Sequence, residues 1–328
     1  MSQVQVVGHR AFRGLYPENT LLAFNKAYEA EVDIIETDLQ MTQDGVIVVN
    51  HDSNTGRTWD RDLIISESKW EDLQKLKNKE DPSLSMMSLT DILEWSIAHP
   101  NSQLMLDIKF TNDKLILLRT YSELLKVKDD LTYWRSHLIW GVWLLDWFEY
   151  GISTGVFKDF KVIVITMSLD VADQFINHSI KLNNPKFQLY GISVHYISTW
   201  TERFRKQMIP ILNENDVKVF LWTINKKIDF KYTVGLPIYG TVTDNPVLSR
   251  EYLNDAQKLI KDKSESTALI PKFVAPVWNT REGIRFYGYI QVYKFVSALL
   301  FSKWIHKKFL GISFAYLIFQ LLRLIRFF

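Results

Sequence analysis

Along the body of the chain, short apolar runs rich in β-branched residues recur at Val4–Val7, Ile34–Leu39, Val46–Val49, Leu104–Ile108, Leu138–Val142, Val162–Thr166, Gly191–Val194, Val217–Thr223 and Gly240–Thr243. Stretches able to form helices separate most of them, and that alternation predicts an α/β fold around a parallel sheet. The runs Ile34–Leu39 and Val46–Val49 are joined only by Gln40 to Gly45, too few for a parallel crossover, which needs about a dozen residues. The second run must therefore turn back as a hairpin arm, with Asp44-Gly45 as the turn signal. A two-residue turn there returns His51 level with residue 36 or 38. Eight parallel strands remain, the number that closes a (β/α)₈ TIM barrel.

Residues 52–90 read as an insertion after the second strand, polar from Ser53 to Arg57 and amphipathic near Trp70–Leu76, before a helix that starts at Leu89. From about Asn254 the pattern becomes linker-like, through Lys261 to Ser266 and the prolines 271 and 276. The expected organisation is a barrel over 1–253, a linker over 254–283 and a tail over 284–328.

Composition changes the picture at the tail. Of the 328 residues, 47% are hydrophobic, more than one barrel core absorbs. The net charge of +2 hides an asymmetry: residues 283–328 hold seven basic side chains and no acid, which leaves the preceding chain at −5. These cations alternate with Phe, Leu and Ile instead of clustering, a pattern for a membrane surface and against nucleic acid. The uncharged run Phe309–Leu322 is 14 residues long, and the run Ile284–Ser302 is broken by Arg285 and Lys294. A straight span needs about 20 apolar residues. An interfacial pair or hairpin on a bilayer or lipid-droplet surface is expected, with Lys303, Trp304, Lys307, Lys308, Arg323 and Arg326 at headgroup level; the other reading is an amphipathic pair packed on the barrel or on a dimer partner. The N-terminus runs directly into a strand with no charged or apolar leader, so the body is expected to face the cytosol, at a lipid droplet, the endoplasmic reticulum or the mitochondrial outer surface. No cysteine is present, which excludes disulfides and thiolate metal sites.

Barrel chemistry sits at the C-terminal ends of the strands. There the chain places Gly8-His9-Arg10, Glu36 and Asp38, His51, and Asp107 and Lys109. Glu36 and Asp38 are i and i+2 neighbours, so they share one strand face and can offer oxygens to one hard cation. Asp107 can join them, and Lys109 and Arg10 can neutralise a phosphate. Phosphodiester cleavage needs a base, an acid for the leaving alkoxide and positive charge at the phosphoryl oxygens, and this set supplies all three. Trp222 reads either as core or as a platform for glycerol, and His195 either as a structural residue or as a substrate contact. The bland readings are a helix N-cap for Asn19, a loop cap for Asp244, structural roles for His99, His137, His178 and His306, and barrel packing for Trp134, Trp140, Trp143 and Trp147, the last two also able to meet lipid.

In order and spacing, Gly8-His9-Arg10, Pro17-Glu18-Asn19-Thr20, Glu36-x-Asp38, Asp44-Gly45, His51-Asp52, Asp107-x-Lys109, Leu221-Trp222-Thr223 and Thr243-Asp244-x-Pro246 resemble the glycerophosphodiester phosphodiesterase family over roughly residues 4–250. The run from Asn19 to Phe24, the Trp143 to Trp147 segment and the apolar tail are similar to the family's phosphatidylglycerol-specific phospholipases C. Asp107, where many members carry glutamate, also resembles the related phospholipase D toxins, which act on choline lipids. The resemblance implies one divalent cation, Mg²⁺ or Ca²⁺, at Glu36, Asp38 and Asp107, acid–base roles for His9 and His51, and a phospholipid substrate cleaved to diacylglycerol and glycerol phosphate. Two other readings stand beside it, a phosphodiesterase for deacylated or lysophospholipid substrates, and a silent membrane tether or lipid sensor. A complete acid, base and ligand set argues against the last.

Overall fold

The computed structural model describes residues 4–233, 236–264 and 275–300, with 308–309 and 312–313 of the tail. Eight parallel strands close into a barrel: β1 (Gln5–Gly8), β2 (Ile34–Met41), β4 (Gln103–Ile108), β5 (Leu138–Val142), β6 (Lys161–Thr166), β7 (Gly191–His195), β8 (Lys218–Trp222) and β9 (Gly240–Thr243), with β1 paired to both β9 and β2. The ninth run, β3 (Ile47–Val49), pairs antiparallel with β2 as the expected hairpin arm.

Helices follow the strands as α1 (Leu21–Glu29), α2 (Trp70–Leu73), α3 (Leu89–Ala98), α4 (Leu115–Val127), α5 (Leu131–His137), α6 (Leu145–Ser153), α7 (Leu169–Leu182), α8 (Ile209–Glu214), α9 (Lys227–Thr233) and α10 (Pro246–Ser264). Their apolar stripes and the outward faces of the strands form one core, while Val7, Ile34, Met105, Ile139, Ile163, Phe220 and Val242 fill the barrel interior. The alternation along β2 explains both: Ile35 and Leu39 face the helices, and Ile34, Glu36 and Asp38 take the other side. The insertion carries α2 and its own small core of Trp59, Ile65, Leu73, Leu76 and Met86 against Val48.

Two expectations change. The hairpin turns through three residues, with Thr42 paired to Val46 and Gly45 at φ +81°, instead of two. The ladder pairs Leu39 with Val49, so by register residue 51 falls beyond its end, opposite Thr37. His51 still lies near Asp38, because the chain leaves the ladder after Val49. The stretch expected to open a linker at 254 continues as α10 to Ser264. Its lysines, glutamine and alanine have high helix propensity, and their polarity mimics a linker.

A further helix, α11 (Arg281–Leu300), returns to the barrel. It buries Phe286, Ile290, Tyr293 and Val296. The Phe286 ring stacks on Trp200 at 4.9 Å, in the short helical turn Tyr196–Trp200 that follows β7. The first part of the expected tail is thus seated on the C-terminal rim of the barrel. Beyond Leu300 the tail lies outside the described residues, apart from an antiparallel pairing of Lys308–Phe309 with Ile312–Ser313. No helix among the described residues is long and apolar enough to cross a membrane.

Candidate active site

Register across β2 and β4 sets Asp38 directly beside Asp107. One oxygen each from Glu36, Asp38 and Asp107 lies within 4.8 Å of the others, and all three residues are buried. Burial raises the Glu36 carboxyl well above its ordinary range, and the charges of Asp38 and Asp107 add to the rise. Asp107 is raised in the same way, mainly by burial and then by Asp38 against the pull of Lys109. For Asp38 burial acts in the same direction but is outweighed by Lys109, His51 and Arg10, which hold it well below the usual carboxylate range. The Lys109 ammonium bridges Asp38, at 2.7 Å, and Asp107. The ammonium takes only one side of Asp38 Oδ1, so a lone pair of that oxygen remains for a ligand. Oxygen-only donors, deep burial and three carboxylates only partly offset by Lys109 and Arg10 fit a hard divalent cation.

Two histidines flank this cluster, each with Nδ1 tied to a carboxylate. His9 Nδ1 is 2.7 Å from Asp244 Oδ1, and His51 Nδ1 is 2.7 Å from Asp52 Oδ1. A carboxylate at Nδ1 sets the tautomer and leaves Nε2 to exchange a proton. Burial lowers His9, with Arg10 and Arg13 in support and Asp244 opposing. Burial, Arg10 and Lys109 lower His51 to about 4 against Asp38 and Asp52. Both imidazoles are therefore neutral at pH 7.

A charged chain joins the two halves. Arg10 donates its backbone N–H to Glu36 at 2.7 Å and its guanidinium to Glu18 at 2.9 Å. Arg57, from the insertion, donates to both Glu18 oxygens and to Asp52. Arg10 takes φ 49° and Ala11 φ 68°, both in the left-handed region that branched and bulky residues avoid. That turn aims the Arg10 amide at Glu36.

Residues 9–248 match the glycerophosphoryl diester phosphodiesterase family. The chain belongs to this family. Among its relatives, the lysophospholipase D GDPD1 of Homo sapiens is 26% identical over 289 residues, covering 76% of this chain and 86% of that protein. A glycerophosphodiester phosphodiesterase of Bacillus altitudinis is 24% identical over 253 residues, covering 74% of this chain and 95% of that protein. Of solved structures, a phosphodiesterase of Oleispira antarctica in complex with the product sn-glycerol-3-phosphate superposes with a TM-score of 0.63 at 18% identity, covering 77% of this chain and 97% of that one. That likeness concerns the fold. Family membership makes the chain a phosphodiester hydrolase.

Within this barrel the remaining expected residues divide. Trp222 ends β8 half-buried, donates Nε1–H to the Ser193 carbonyl at 3.1 Å, and meets Trp143 edge-on. His195 is 1% exposed and packs among the rings of Tyr196, Trp222 and Tyr293. Asp244, Asn19 and Trp143 do more than their bland readings said, and Asp52, named before only within a motif, gains a partner. Asp244 orients His9 and is itself held by Asn225. Asn19, at φ 56°, donates to Asp38 at 2.8 Å and accepts from Thr37, while the N-cap of α1 falls to Thr20. Asp52 binds His51, and Trp143 donates Nε1–H to Asp107 Oδ1 at 2.6 Å. Trp134, Trp140 and Trp147 are core, as expected. His99 stacks on Trp95, His137 stacks on Tyr133, and His178 pairs with Glu149. His306 lies outside the described residues.

Proposed function

We propose that this hydrolase cleaves phosphatidylglycerol between phosphorus and the diacylglycerol oxygen, as a phospholipase C. The observation that carries the reading is the pair of carboxylate-tethered histidines beside the three-carboxylate cluster. The headgroup 2-hydroxyl attacks phosphorus and gives its proton to one histidine, with His9 favoured as base. The bond to the diacylglycerol oxygen breaks, and that oxygen takes a proton from the other histidine, His51. Water then opens the cyclic phosphate to glycerol phosphate. Held by Glu36, Asp38 and Asp107, Mg²⁺ or Ca²⁺ would polarise the phosphoryl oxygen. Arg10 and Lys109 offset the charge that grows in the transition state.

An apolar rim supports a lipid substrate. Leu15, Phe110 and Leu144 are exposed in the loops after β1, β4 and β5, on the same end of the barrel as the carboxylates. On α11, Ile284, Tyr287 and Phe295 form an exposed stripe, with Arg281 and Lys294 also exposed. Aromatic and apolar side chains between cations suit an anionic lipid surface, in keeping with a tail over 284–328 that holds the enzyme at a cytosol-facing membrane or lipid droplet.

The names of relatives favour a second reading. The human relative is called a lysophospholipase D, and that activity cuts on the other side of phosphorus. Purified enzyme offered phosphatidylglycerol and lysophosphatidylglycerol separates them: the first reading yields diacylglycerol and glycerol phosphate from the intact lipid, and the second yields lysophosphatidic acid and glycerol from the lysolipid. A phosphatidylpropane-1,3-diol analogue lacks the 2-hydroxyl and is expected to turn over at least about 100-fold more slowly, since intramolecular attack is lost. Equal rates on both lipids would exclude the cyclic route.

A further inference from the structure

We infer that α11 is a working wall of the catalytic barrel, and that its Tyr293 positions the Asp107 carboxylate through His195, Trp222 and Trp143. The path is continuous. Tyr293 lies parallel to the His195 ring at 6.3 Å and 15°. His195 meets Trp222 edge-to-face at 5.2 Å and 89°, and Trp222 meets Trp143 at 6.4 Å and 61°. Trp143 closes the path with its 2.6 Å hydrogen bond to Asp107 Oδ1. The Lys109 ammonium, bound to the other Asp107 oxygen, sits 5.5 Å from the centre of the Trp143 ring.

Both ends of the path are fixed. Tyr293 donates its hydroxyl to the Met167 carbonyl at 2.6 Å, just past the end of β6. Arg285 pairs with Asp229 of α9 at 3.2 Å, and Glu282 accepts from Tyr232. At the other end, a hydrogen bond to a charged carboxylate is among the stronger single contacts in a protein. Its direction is set by where the Trp143 indole lies, and the indole is held between Trp222 and Phe110. Ring pairs at these separations carry a directional preference beyond simple burial. Removing the Tyr293 ring leaves a void beside His195, into which His195 and Trp222 can relax. The Asp107 carboxylate then loses a fixed donor. Tyr293 is a positioning residue on this account, since it touches neither substrate nor ion.

This inference rests on the reading that Asp107 holds the ion, and the test separates the two. In full-length protein, divalent-ion affinity by calorimetry, kcat on a water-soluble glycerophosphodiester, and thermal melting are compared for Tyr293→Leu, Tyr293→Phe, Trp143→Phe and Asp107→Asn. Tyr293→Leu is expected to weaken ion affinity and lower kcat by about five-fold, the order of one aromatic contact. Tyr293→Phe keeps the ring and restores both. Tyr293→Leu combined with Trp143→Phe costs no more than Trp143→Phe alone, because the path is already cut. A lower melting temperature with unchanged ion affinity and kcat in Tyr293→Leu overturns the inference and leaves Tyr293 as packing only. Loss of affinity in Asp107→Asn alone overturns the path but not the ion site, whereas unchanged affinity in Asp107→Asn overturns the ion site and the path with it. Should Tyr293→Leu not fold, Trp222→Leu breaks the path two rings closer to Asp107 and carries the same expectation.

Discussion

His9 and Asp244 are 235 residues apart in the chain, yet their side chains meet at 2.7 Å because β1 and β9 are neighbours where the barrel closes. His51 reaches the same arrangement with the next residue, Asp52. One dyad is built by topology and the other by local sequence. In both, the carboxylate sets which ring nitrogen faces the reaction.

Asp244→Asn tests the first dyad. An amide accepts only through its oxygen, and Asn225 competes for it. The imidazole loses its fixed orientation and the carboxylate's charge. We expect kcat to fall about 10- to 100-fold with little change in melting temperature, less than the roughly 10² to 10⁴-fold cost of His9→Ala. Wild-type turnover in Asp244→Asn would show that the contact is only structural.

Glu36→Gln is predicted to separate stability from function. In the ion-free protein Glu36 is buried beside two further carboxylates, which raise its pKa. A folded-state pKa above the unfolded value means that ionisation opposes folding, so the penalty grows as pH rises through the folded pKa. The neutral amide removes that penalty. Without divalent ions the variant should melt a few degrees higher at pH 7 than the parent protein, yet it should bind ions weakly and turn over poorly. A lower melting temperature in chelator would contradict the charge balance described for the cluster. Asp107→Glu should be partly tolerated and Asp107→Asn poorly, since the charge matters more than one methylene of reach.

The strands, the hairpin and the acidic set were legible because each has a local signature. Period-2 alternation marked Glu36 and Asp38 as facing inward, and the short connection at Gln40 to Gly45 forced β3 to turn back. Asp244 and Asn19 were underread because a residue beside a helix start looks like a cap. Their partners, His9 and Asp38, arrive only through barrel closure and the left-handed turn at Arg10 and Asn19. Pro17-Glu18 gave no hint of the Arg10–Glu18–Arg57 link, which depends on the fold of the insertion. The packing of α11 on the barrel was only the second reading of the tail, for another reason. The helix is apolar on both sides, with Phe286 and Tyr293 buried and Ile284 and Phe295 exposed, so its sequence reads as a segment that avoids water all round. Low complementarity between its faces erased the amphipathic signal that locates a packed helix.

The pH dependence gives the last prediction. The profile of kcat/KM reports the free enzyme, and a base must be neutral to accept a proton. An isolated imidazole protonates near 6.5, but burial and the cations Arg10 and Lys109 lower His51 to about 4, and burial with Arg10 and Arg13 lowers His9 as well. A lowered pKa keeps the histidine neutral further into acid, so the acidic limb of kcat/KM should lie below pH 6.5 whichever histidine is the base. The partner that acts as acid is also neutral in the free enzyme at pH 7, and it must gain its proton as the anionic phosphodiester binds. Binding an anion beside an imidazole raises its pKa, so the basic limb of kcat should lie at higher pH than that of kcat/KM. Measurements with divalent ion saturating at each pH keep protonation of the carboxylates from mimicking the effect. Asp52→Asn removes a carboxylate that raises His51, and should move the limb governed by His51 further toward acid. An acidic midpoint at or above 6.5 in the parent enzyme would mean that neither His9 nor His51 is the base.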